Sequence, residues 1–320
     1  MIKNIPALVI DVTYQCNASC SYCQWGSPAT GRKIEYNLRL PVETLSALGT
    51  KRVVFSGGEP LLRADLEELI SYYRTSGVDS VVVITNGLLL SSQRFDSLLA
   101  AGITGVTASL DGVTPEVAAN ARGMSRHQQK KIMENFEHVL EHRKQMRRTP
   151  EFVINTVLSK ANMEFRHLAG LVDFGNLHEV DYVKFTPVFD DGYLGKHAPW
   201  LKFQNEDSAL IRTLGRMVVA RAQVKTNPPW FWNAVADIVG GSKKLKGSSC
   251  GLDKGQALFT HGELKFCAWL KQPIYGRLNE TVSSRTVREA QSEFKQARVQ
   301  CETGAWCFCL QDLEQQWEIT

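Results

Sequence analysis

Short apolar runs alternate with longer stretches of helical periodicity through the first 186 residues. The runs are five to seven residues long, are rich in β-branched side chains and occupy 7–13, 52–56, 80–85, 105–110, 152–158 and 182–186. Such runs, bounded by turn residues, predict buried strands. Helical patterns lie between them at 65–75, 91–101, 125–147 and 162–174. Strands that alternate with helices predict an α/β fold with a parallel sheet of six β/α units.

The pattern changes after residue 186. A loop at 187–200 and a helix at 210–224 precede Pro228-Pro229-Trp230-Phe231-Trp232, where we expect a domain to end. Apolar segments at 256–260 and 263–266 flank His261-Gly262 and predict a β-hairpin, followed by a helix at 285–297. We therefore expect a large domain over 1–235 and a small cysteine-rich α+β domain over 236–320.

Length and charge narrow the function only slightly. The 320 residues suffice for one large domain with a small addition. A formal net charge of +4 suits an anionic ligand but is too weak to argue for nucleic acid binding. The N-terminal apolar stretch is broken by Pro6 and closed by Asp11, so it predicts neither a secretory signal nor a membrane span. We expect a cytoplasmic protein that does not contact a membrane.

The eight cysteines fall into two groups, one at 16–23 and one at 250–309. In a reducing compartment such clustering favours metal ligation over disulfides. Cys16, Cys20 and Cys23 follow the first predicted strand at gaps that suit a loop wrapped around one metal centre. Three thiolates are one ligand short of a closed zinc site or a fully ligated [4Fe-4S] cluster, so one iron would stay open. A zinc knuckle or buried thiols are the alternatives.

This Cys-x3-Cys-x2-Cys motif, with the aromatic Tyr22 before its last cysteine, resembles the hallmark of the radical S-adenosylmethionine (SAM) superfamily. About thirty residues later, Gly57-Gly58-Glu59-Pro60 resembles the superfamily segment that holds the methionine amino group of SAM. The resemblance implies a partial (β/α)6 TIM-like barrel, a [4Fe-4S] cluster on the three cysteines and SAM bound at the C-terminal ends of the strands. Ligands in α/β folds gather at those ends.

Polar residues at the other strand ends are further SAM-binding candidates under this resemblance. Asn86-Gly87 and Asp111-Gly112 would ordinarily predict hairpin turns. Asn155 is either a SAM contact or a hydrogen-bonded amide of the core. The expected SAM-binding residues are Tyr22, Gly57, Gly58, Glu59, Pro60, Thr85, Asn86, Ser109, Asp111 and Asn155.

Candidate substrate residues lie in the loop after the sixth strand. Asp190, Asp191, Tyr193 and His197 are at the correct end of the barrel to line a substrate cavity, and loops on a rigid scaffold often carry function. Polar residues are equally typical of any surface loop. We retain these four as catalytic or substrate-binding candidates.

The second cysteine group resembles the auxiliary-cluster domains of the same superfamily, called SPASM when they hold two clusters and twitch when they hold one. Its members are Cys250, Cys267, Cys301, Cys307 and Cys309. Five cysteines are too few for two fully ligated clusters, so the twitch type, with four of the five as ligands of a second [4Fe-4S] cluster, fits better. The spare thiol is either a hydrogen-atom donor or an idle buried cysteine. A structural zinc site is the alternative for the whole group.

The resemblance implies a radical SAM enzyme that cleaves SAM reductively and abstracts a hydrogen atom from its substrate. We expect a small sugar, aminocyclitol or metabolite-like substrate, because the cysteine loop begins at residue 16 and leaves no room in front for a peptide-recognition domain. Oxidation through the auxiliary cluster or thiol-assisted epimerisation would follow, with flavodoxin or ferredoxin as electron donor. Alternatives are a peptide maturase, a tRNA-modifying enzyme and a non-enzymatic iron-sulfur or zinc scaffold.

Overall fold

The computed structural model of the chain describes residues 7–23, 25, 37–146, 149–188, 193–242, 256–267, 274–277 and 280–297. Its strands are β1 Ala7–Thr13, β2 Arg52–Gly57, β3 Ser80–Thr85, β4 Gly105–Ser109, β5 Glu151–Leu158, β6 Tyr182–Pro187, β7 Lys225–Thr226, β8 Gln256–Thr260, β9 Glu263–Lys265 and β10 Ile274–Arg277. Its helices are α1 Val42–Leu48, α2 Leu66–Thr75, α3 Ser92–Ala100, α4 Pro115–Arg122, α5 Arg126–Lys144, α6 Phe165–His178, α7 Tyr193–His197, α8 Asp207–Arg221, α9 Pro229–Val239 and α10 Ser284–Ala297.

Within the described residues the strands form one sheet, in the order β10-β9-β8-β1-β2-β3-β4-β5-β6-β7. Strands β1 to β6 pair in parallel with their sequence neighbours. Their carboxyl ends therefore lie along a single edge, which we call the C-terminal edge. This arrangement confirms the predicted α/β fold with six parallel strands.

The parallel strands have one face packed on the core and one polar face. On β1, Leu8, Ile10 and Val12 are fully buried in the hydrophobic core. The side chains that alternate with them point the other way, because successive residues of a strand project to opposite faces. This second face, the open face, carries mainly small polar groups near the C-terminal edge: Asp11, Thr13, Ser56, Ser109, Asn155 and Thr186.

The predicted hairpin is present, and it extends the barrel sheet. Strands β8 and β9 are antiparallel around His261-Gly262, and β8 pairs in parallel with β1 so that Ile10 lies opposite Phe259. Because β8 runs in the same direction as β1, the hairpin turn lies at the C-terminal edge. There the His261 amide donates a 2.6 Å hydrogen bond to the Tyr14 hydroxyl, and the Tyr14 ring stacks on Trp25 at 4.7 Å between centroids.

Two segments contain more helical structure than we expected from the sequence. The proline- and tryptophan-rich junction is the start of helix α9, whose buried Trp232 packs on α8. The contact is so close that a Cβ at Gly215 would lie 2.3 Å from Trp232 Cγ. The expected loop 187–200 contains the short helix α7 and a 3-10 turn that begins at Pro199. The domain boundary at residue 235 falls within α9, and the division of the chain there stays a prediction.

Among the residues that the structure describes, no helix is both long and apolar enough to cross a membrane.

Stability between pH 4 and 6 depends on Asp11. Burial raises the pKa of this carboxyl from 3.8 to about 6, although a hydrogen bond from Thr260 and the charge of Lys265 act to lower it. The folded state therefore binds more protons than the unfolded state in this range and loses about 3 kcal/mol as pH rises through it. We predict that Asp11→Asn removes this loss. The free energy of unfolding of the variant, measured in urea titrations, should therefore rise relative to that of wild type as the pH increases from 4 to 6.5.

The matched control for this titration is Asp79→Asn, which removes an exposed carboxylate whose partner is Lys51. The difference in free energy of unfolding between this control and wild type should not change over the same pH range. A flat difference for Asp11→Asn as well would contradict the prediction.

The hairpin turn should loosen when the Tyr14 hydroxyl is removed. Tyr14→Phe leaves the His261 amide without its acceptor, and an unsatisfied amide of this kind costs about 1–3 kcal/mol. We predict faster hydrogen exchange of the His261 amide and a lower urea midpoint. Unchanged exchange at His261 would show that the bond does not hold the turn to the cysteine loop.

Candidate functional site

The three cysteines of the first group lie in the loop that leaves β1 at the C-terminal edge. Cys16, Cys20 and Cys23 are all half-buried, and none of them forms a disulfide. The Cys23 amide donates to the Cys20 carbonyl at 3.0 Å, which closes a tight turn between these two. Burial raises the pKa of the Cys16 and Cys20 thiols, so in the absence of a metal they stay protonated at neutral pH.

The Gly-Gly-Glu-Pro segment lies directly against this loop. The Gly58 amide donates to the Thr13 carbonyl at 2.6 Å, and the Glu59 amide donates to the Gln15 carbonyl at 2.8 Å. A Cβ at Gly57 would lie 2.2 Å from the Thr13 oxygen, and one at Gly58 would lie 2.0 Å from the Gln15 oxygen. Only glycine permits this approach, because any side chain would push the segment off the cysteine loop.

The Glu59 carboxylate is a brace inside this part of the site. It is 1% exposed and accepts hydrogen bonds from the Leu61 amide at 3.0 Å, the Thr85 hydroxyl at 2.8 Å and the Asn86 amide at 2.8 Å. Burial raises its pKa, and these hydrogen bonds oppose the rise. Both oxygens of the carboxylate are thus occupied by hydrogen bonds within the protein.

Asn86 extends the brace to the cysteine loop. Its side-chain Nδ2 donates to the Asn17 side-chain oxygen at 2.7 Å and lies 4.0 Å from Cys16 Sγ. Its Oδ1 accepts from the Leu88 amide at 3.0 Å. The predicted residues Thr85 and Asn86 are thus brought together with Glu59 and with the first cysteine.

Tyr22 and Asp111 meet on the other side of the loop. The Tyr22 hydroxyl donates to Asp111 Oδ2 at 2.5 Å, and Asp111 Oδ1 accepts from the Val157 amide at 2.9 Å. Burial raises the pKa of Tyr22 well above its ordinary value, and the neighbouring Asp111 charge adds to the rise, so Tyr22 is a neutral donor. This pair fastens the cysteine loop to strands β4 and β5.

The sequence analysis missed Arg122, a buried cation at the end of α4. It is 6% exposed, donates to the Ser109 carbonyl at 2.5 Å and hydrogen-bonds the Cys20 side chain. Burial acts to lower its pKa, but the surrounding acidic groups, Cys20 and Asp111 among them, raise it overall and keep the guanidinium charged. Pro115 at the start of α4 and the left-handed Gly123 after its end are the signals that could have predicted this helix.

Ser109 and Asn155 lie side by side on the open face, in register on β4 and β5. The Asn155 side-chain oxygen accepts from the Thr186 hydroxyl at 3.0 Å. Asn155 is half-buried, so its amide is partly bonded within the sheet and partly accessible. Both alternatives for Asn155 therefore remain open.

Several residues predicted for the site lie away from the cysteine loop or outside the residues that the structure describes. Cys267 is 7% exposed and continues from β9 toward the Ala7 end of β1, at the edge of the sheet opposite the cysteine loop. His197 is exposed at the end of α7, which begins at Tyr193. The residues outside the described ranges are Asp190, Asp191, Cys250, Cys301, Cys307 and Cys309.

The first cysteine group fits an iron-sulfur cluster in its chemistry. Thiolates are the usual ligands of such clusters, and the buried Arg122 cation beside Cys20 offsets the negative charge that ligated thiolates bring. Within the described residues, no three His, Cys, Asp or Glu side chains gather closely enough for a single metal ion. A [4Fe-4S] cluster does not require that closeness, because each thiolate binds a different iron.

Comparison with known proteins gives relatives that match only part of the chain. The chain is 32% identical over 168 residues to an AdoMet-dependent heme synthase of Methanosarcina barkeri, and the aligned segment covers 51% of this chain and 46% of that synthase. The chain is also 34% identical over 117 residues to a GTP 3',8-cyclase of Chlorobaculum tepidum, and here the aligned segment covers 36% of this chain and 35% of that cyclase. The chain thus spans less than half the length of these curated relatives.

The fold resembles that of a solved structure over most of the chain. Streptococcus suis SuiB, crystallised with the precursor peptide SuiA, aligns with a TM-score of 0.64 at 14% identity, covering 91% of this chain and 67% of SuiB. An identity this low supports the fold and not a shared substrate.

Residues 10–163 match the family model described as the Radical SAM superfamily. The matched segment contains the cysteine loop, the Gly57-Gly58-Glu59-Pro60 segment, the Tyr22–Asp111 pair and Arg122. The matched segment is 154 of the 320 residues, just under half of the chain, and it is similar to the Radical SAM superfamily, the family that the cysteine and Gly-Gly-Glu-Pro motifs resemble.

Proposed function

We propose that this protein reductively cleaves SAM and abstracts a hydrogen atom from a small polar substrate held on the open face. The match of residues 10–163 to the Radical SAM family model supports a [4Fe-4S] cluster and SAM binding. The observation that carries the proposal is the contact between two loops, in which the glycines of residues 57–58 lie against the backbone of residues 13–15, directly before the loop with the three half-buried thiols. A scaffold protein would have no need of this contact.

Cys16, Cys20 and Cys23 would hold the cluster and leave one iron open for SAM. The backbone of residues 57–60 would take the methionine amino group, and the polar groups of Ser109 and Asn155 would face the rest of SAM. When bound, the cluster would supply one electron that breaks a carbon-sulfur bond of SAM and so provides a 5′-deoxyadenosyl radical for hydrogen abstraction.

The chain's own residues position these groups. Glu59 and Asn86 hold the first cysteine in place, while Tyr22 and Asp111 hold the last. Arg122 supplies a positive charge beside Cys20 where negative charge accumulates on reduction. Such preorganisation would limit rearrangement around the site when the radical forms.

The C-terminal unit over 236–320 would hold a second [4Fe-4S] cluster with four of Cys250, Cys267, Cys301, Cys307 and Cys309. Accepting an electron from the substrate radical would give an oxidation, whereas a spare thiol that returns a hydrogen atom would give an epimerisation. Asp190, Asp191, Tyr193 and His197 remain candidates for contact with substrate. A flavodoxin or ferredoxin in the cytoplasm would serve as electron donor.

The substrate is proposed as a small molecule of the sugar, aminocyclitol or metabolite type. The curated relatives are named for heme synthesis and for GTP cyclisation, which differ from each other, and the matched regions cover less than half of either protein. A peptide or a tRNA is the competing substrate class. Co-purified RNA whose binding weakens with salt would indicate the tRNA class.

The proposed cluster ligands can be tested by counting iron. Anaerobically reconstituted wild type should carry about eight irons per chain, and the Cys16/Cys20/Cys23→Ala triple variant about four. With SAM and dithionite, wild type should form 5′-deoxyadenosine, whereas each single Cys→Ala variant should form none, because the open iron is lost with its cluster. Iron, sulfide and 5′-deoxyadenosine are the quantities to measure.

Ser76→Ala, at a half-buried position after α2, is the matched control and should keep both the iron and the product. Product formation by any of the three single variants would refute the assignment. An iron count of about four that falls to none in the triple variant, with zinc at the C-terminal thiols, would remove the second cluster and shift the proposal from oxidation to redox-neutral chemistry.

A further prediction concerns Cys267. Cys267→Ala should lower the iron content from about eight toward about four per chain, because one of the proposed ligands of the second cluster is lost. Some SAM cleavage should persist, since the first cluster lies at the opposite edge of the sheet. An unchanged iron count would show that Cys267 is not a ligand.

A further inference from the structure

The buried guanidinium of Arg122 has a hydrogen-bond donor without an acceptor. Its Nη1 donates to the Ser109 carbonyl at 2.5 Å, and the side chain also hydrogen-bonds the Cys20 side chain. Its Nε is buried and has no acceptor among the residues that the structure describes. A buried donor that stays unpaired is costly, because it has given up its hydrogen bond to water. The Nε–H of Arg122 therefore points to a group that binds here.

Arg122 faces the first cysteine group from the end of α4. Only 6% of the residue is exposed, so its surroundings are almost entirely protein. The guanidinium interacts electrostatically with the thiols of both Cys16 and Cys20. Any group that these thiols bind would lie beside the unpaired donor.

The shape of the guanidinium narrows the choice of acceptor. The N–H groups of arginine lie in one plane in a fixed fork, so a guanidinium that bonds one atom presents its other donors to that atom's neighbours. Here the bonded atom is the Cys20 sulfur. When Cys20 ligates a [4Fe-4S] cluster, the neighbouring acceptors are the inorganic sulfides on the same iron.

We propose that Arg122 donates its Nε–H to an inorganic sulfide of the first cluster, beside its bond to Cys20, and so raises the reduction potential of that cluster. The proposal rests on the proposed function and deepens it, because it assigns to one residue how readily the cluster takes up the electron that cleaves SAM. In this step the reductant gives up one electron and the cluster accepts it, and no proton is transferred.

The direction of the effect follows from charge. Reduction adds one negative charge to the cluster, and hydrogen bonds to its sulfurs stabilise the reduced form. Asn86 offers a neutral amide 4.0 Å from Cys16 Sγ. Arg122 differs from Asn86 because it carries a full positive charge, and charge-assisted hydrogen bonds are roughly twice as strong as neutral ones.

The test is an anaerobic redox titration of the reconstituted holoprotein with dithionite, monitored by EPR and without SAM. The signal of the first cluster is identified as the one that changes when SAM is added to a separate sample. In Arg122→Met its potential should fall by at least about 59 mV, which is a tenfold smaller equilibrium constant for a one-electron couple. Arg122→Lys keeps a charge but loses the fork, so its potential should lie between those of wild type and Arg122→Met.

The matched control is Arg143→Met. Arg143 is also 6% exposed and donates to the carbonyls of Pro150 and Glu179, which precede β5 and β6. Its removal takes a buried, bonded arginine from the opposite edge of the sheet. The potential of the first cluster should therefore equal that of wild type.

A second measurement does not depend on the folding of Arg122→Met. Wild-type protein grown with ¹⁵N-labelled arginine and then reduced should show, by pulsed EPR, a ¹⁵N nucleus weakly coupled to the unpaired electron of the first cluster. This coupling should be lost in Arg122→Lys.

The proposal is overturned by an unchanged potential in iron-loaded Arg122→Met, by a wild-type potential in Arg122→Lys, by an equal fall in Arg143→Met, or by absence of the ¹⁵N coupling. Weaker SAM binding by Arg122→Met at an unchanged potential would also overturn it and assign the donor to the SAM carboxylate. Wild type that lacks iron, or that lacks an EPR signal responding to SAM, would instead overturn the proposed function.

Discussion

The site depends first on the hydrogen bonds that join the end of β1 to the segment after β2. The carbonyls of Thr13 and Gln15 accept from Gly58 and Glu59, and the bonds exist because residues 57 and 58 have no side chain. These contacts fix the start of the cysteine loop relative to the segment proposed to hold SAM. Because the loop has little regular structure of its own, its thiols can take a defined arrangement only where the sheet edge holds both ends.

Buried polar side chains complete that arrangement. Glu59, Asp111 and Arg122 are each almost fully buried, and each joins the loop or its neighbour to a different strand. Buried charges are costly unless they are bonded, and a bonded network of this kind rigidifies its surroundings. The side chains of Glu59 and Asp111, which the strand-end pattern marked as SAM contacts, are instead hydrogen-bonded within the protein.

Local pattern predicted much of this architecture, and its failures have physical causes. The strand of residues 80–85 and the hairpin around His261-Gly262 are visible because period and turn chemistry are local properties. The pairing of β8 with β1 is not visible, since two apolar strands some 250 residues apart carry no signal of their register. Arg122 was missed because its helix is only eight residues long and its partners are fixed by tertiary packing. Trp230 to Trp232 suggested a junction because two prolines precede them, although proline also favours the first turn of a helix.

Because the hairpin pairs with β1, it places some of its residues close to the cysteine loop and others far from it. It covers an edge of β1 that would otherwise be exposed, and it places Thr260 and Lys265 on the open face. Its Cys267, by contrast, continues toward the Ala7 end of β1, which is roughly 20 Å along the strand from Thr13. A thiol there cannot touch a substrate beside the first cysteine group. Of the two roles proposed for the C-terminal cysteines, the position of Cys267 therefore favours that of a cluster ligand over that of a hydrogen-atom donor.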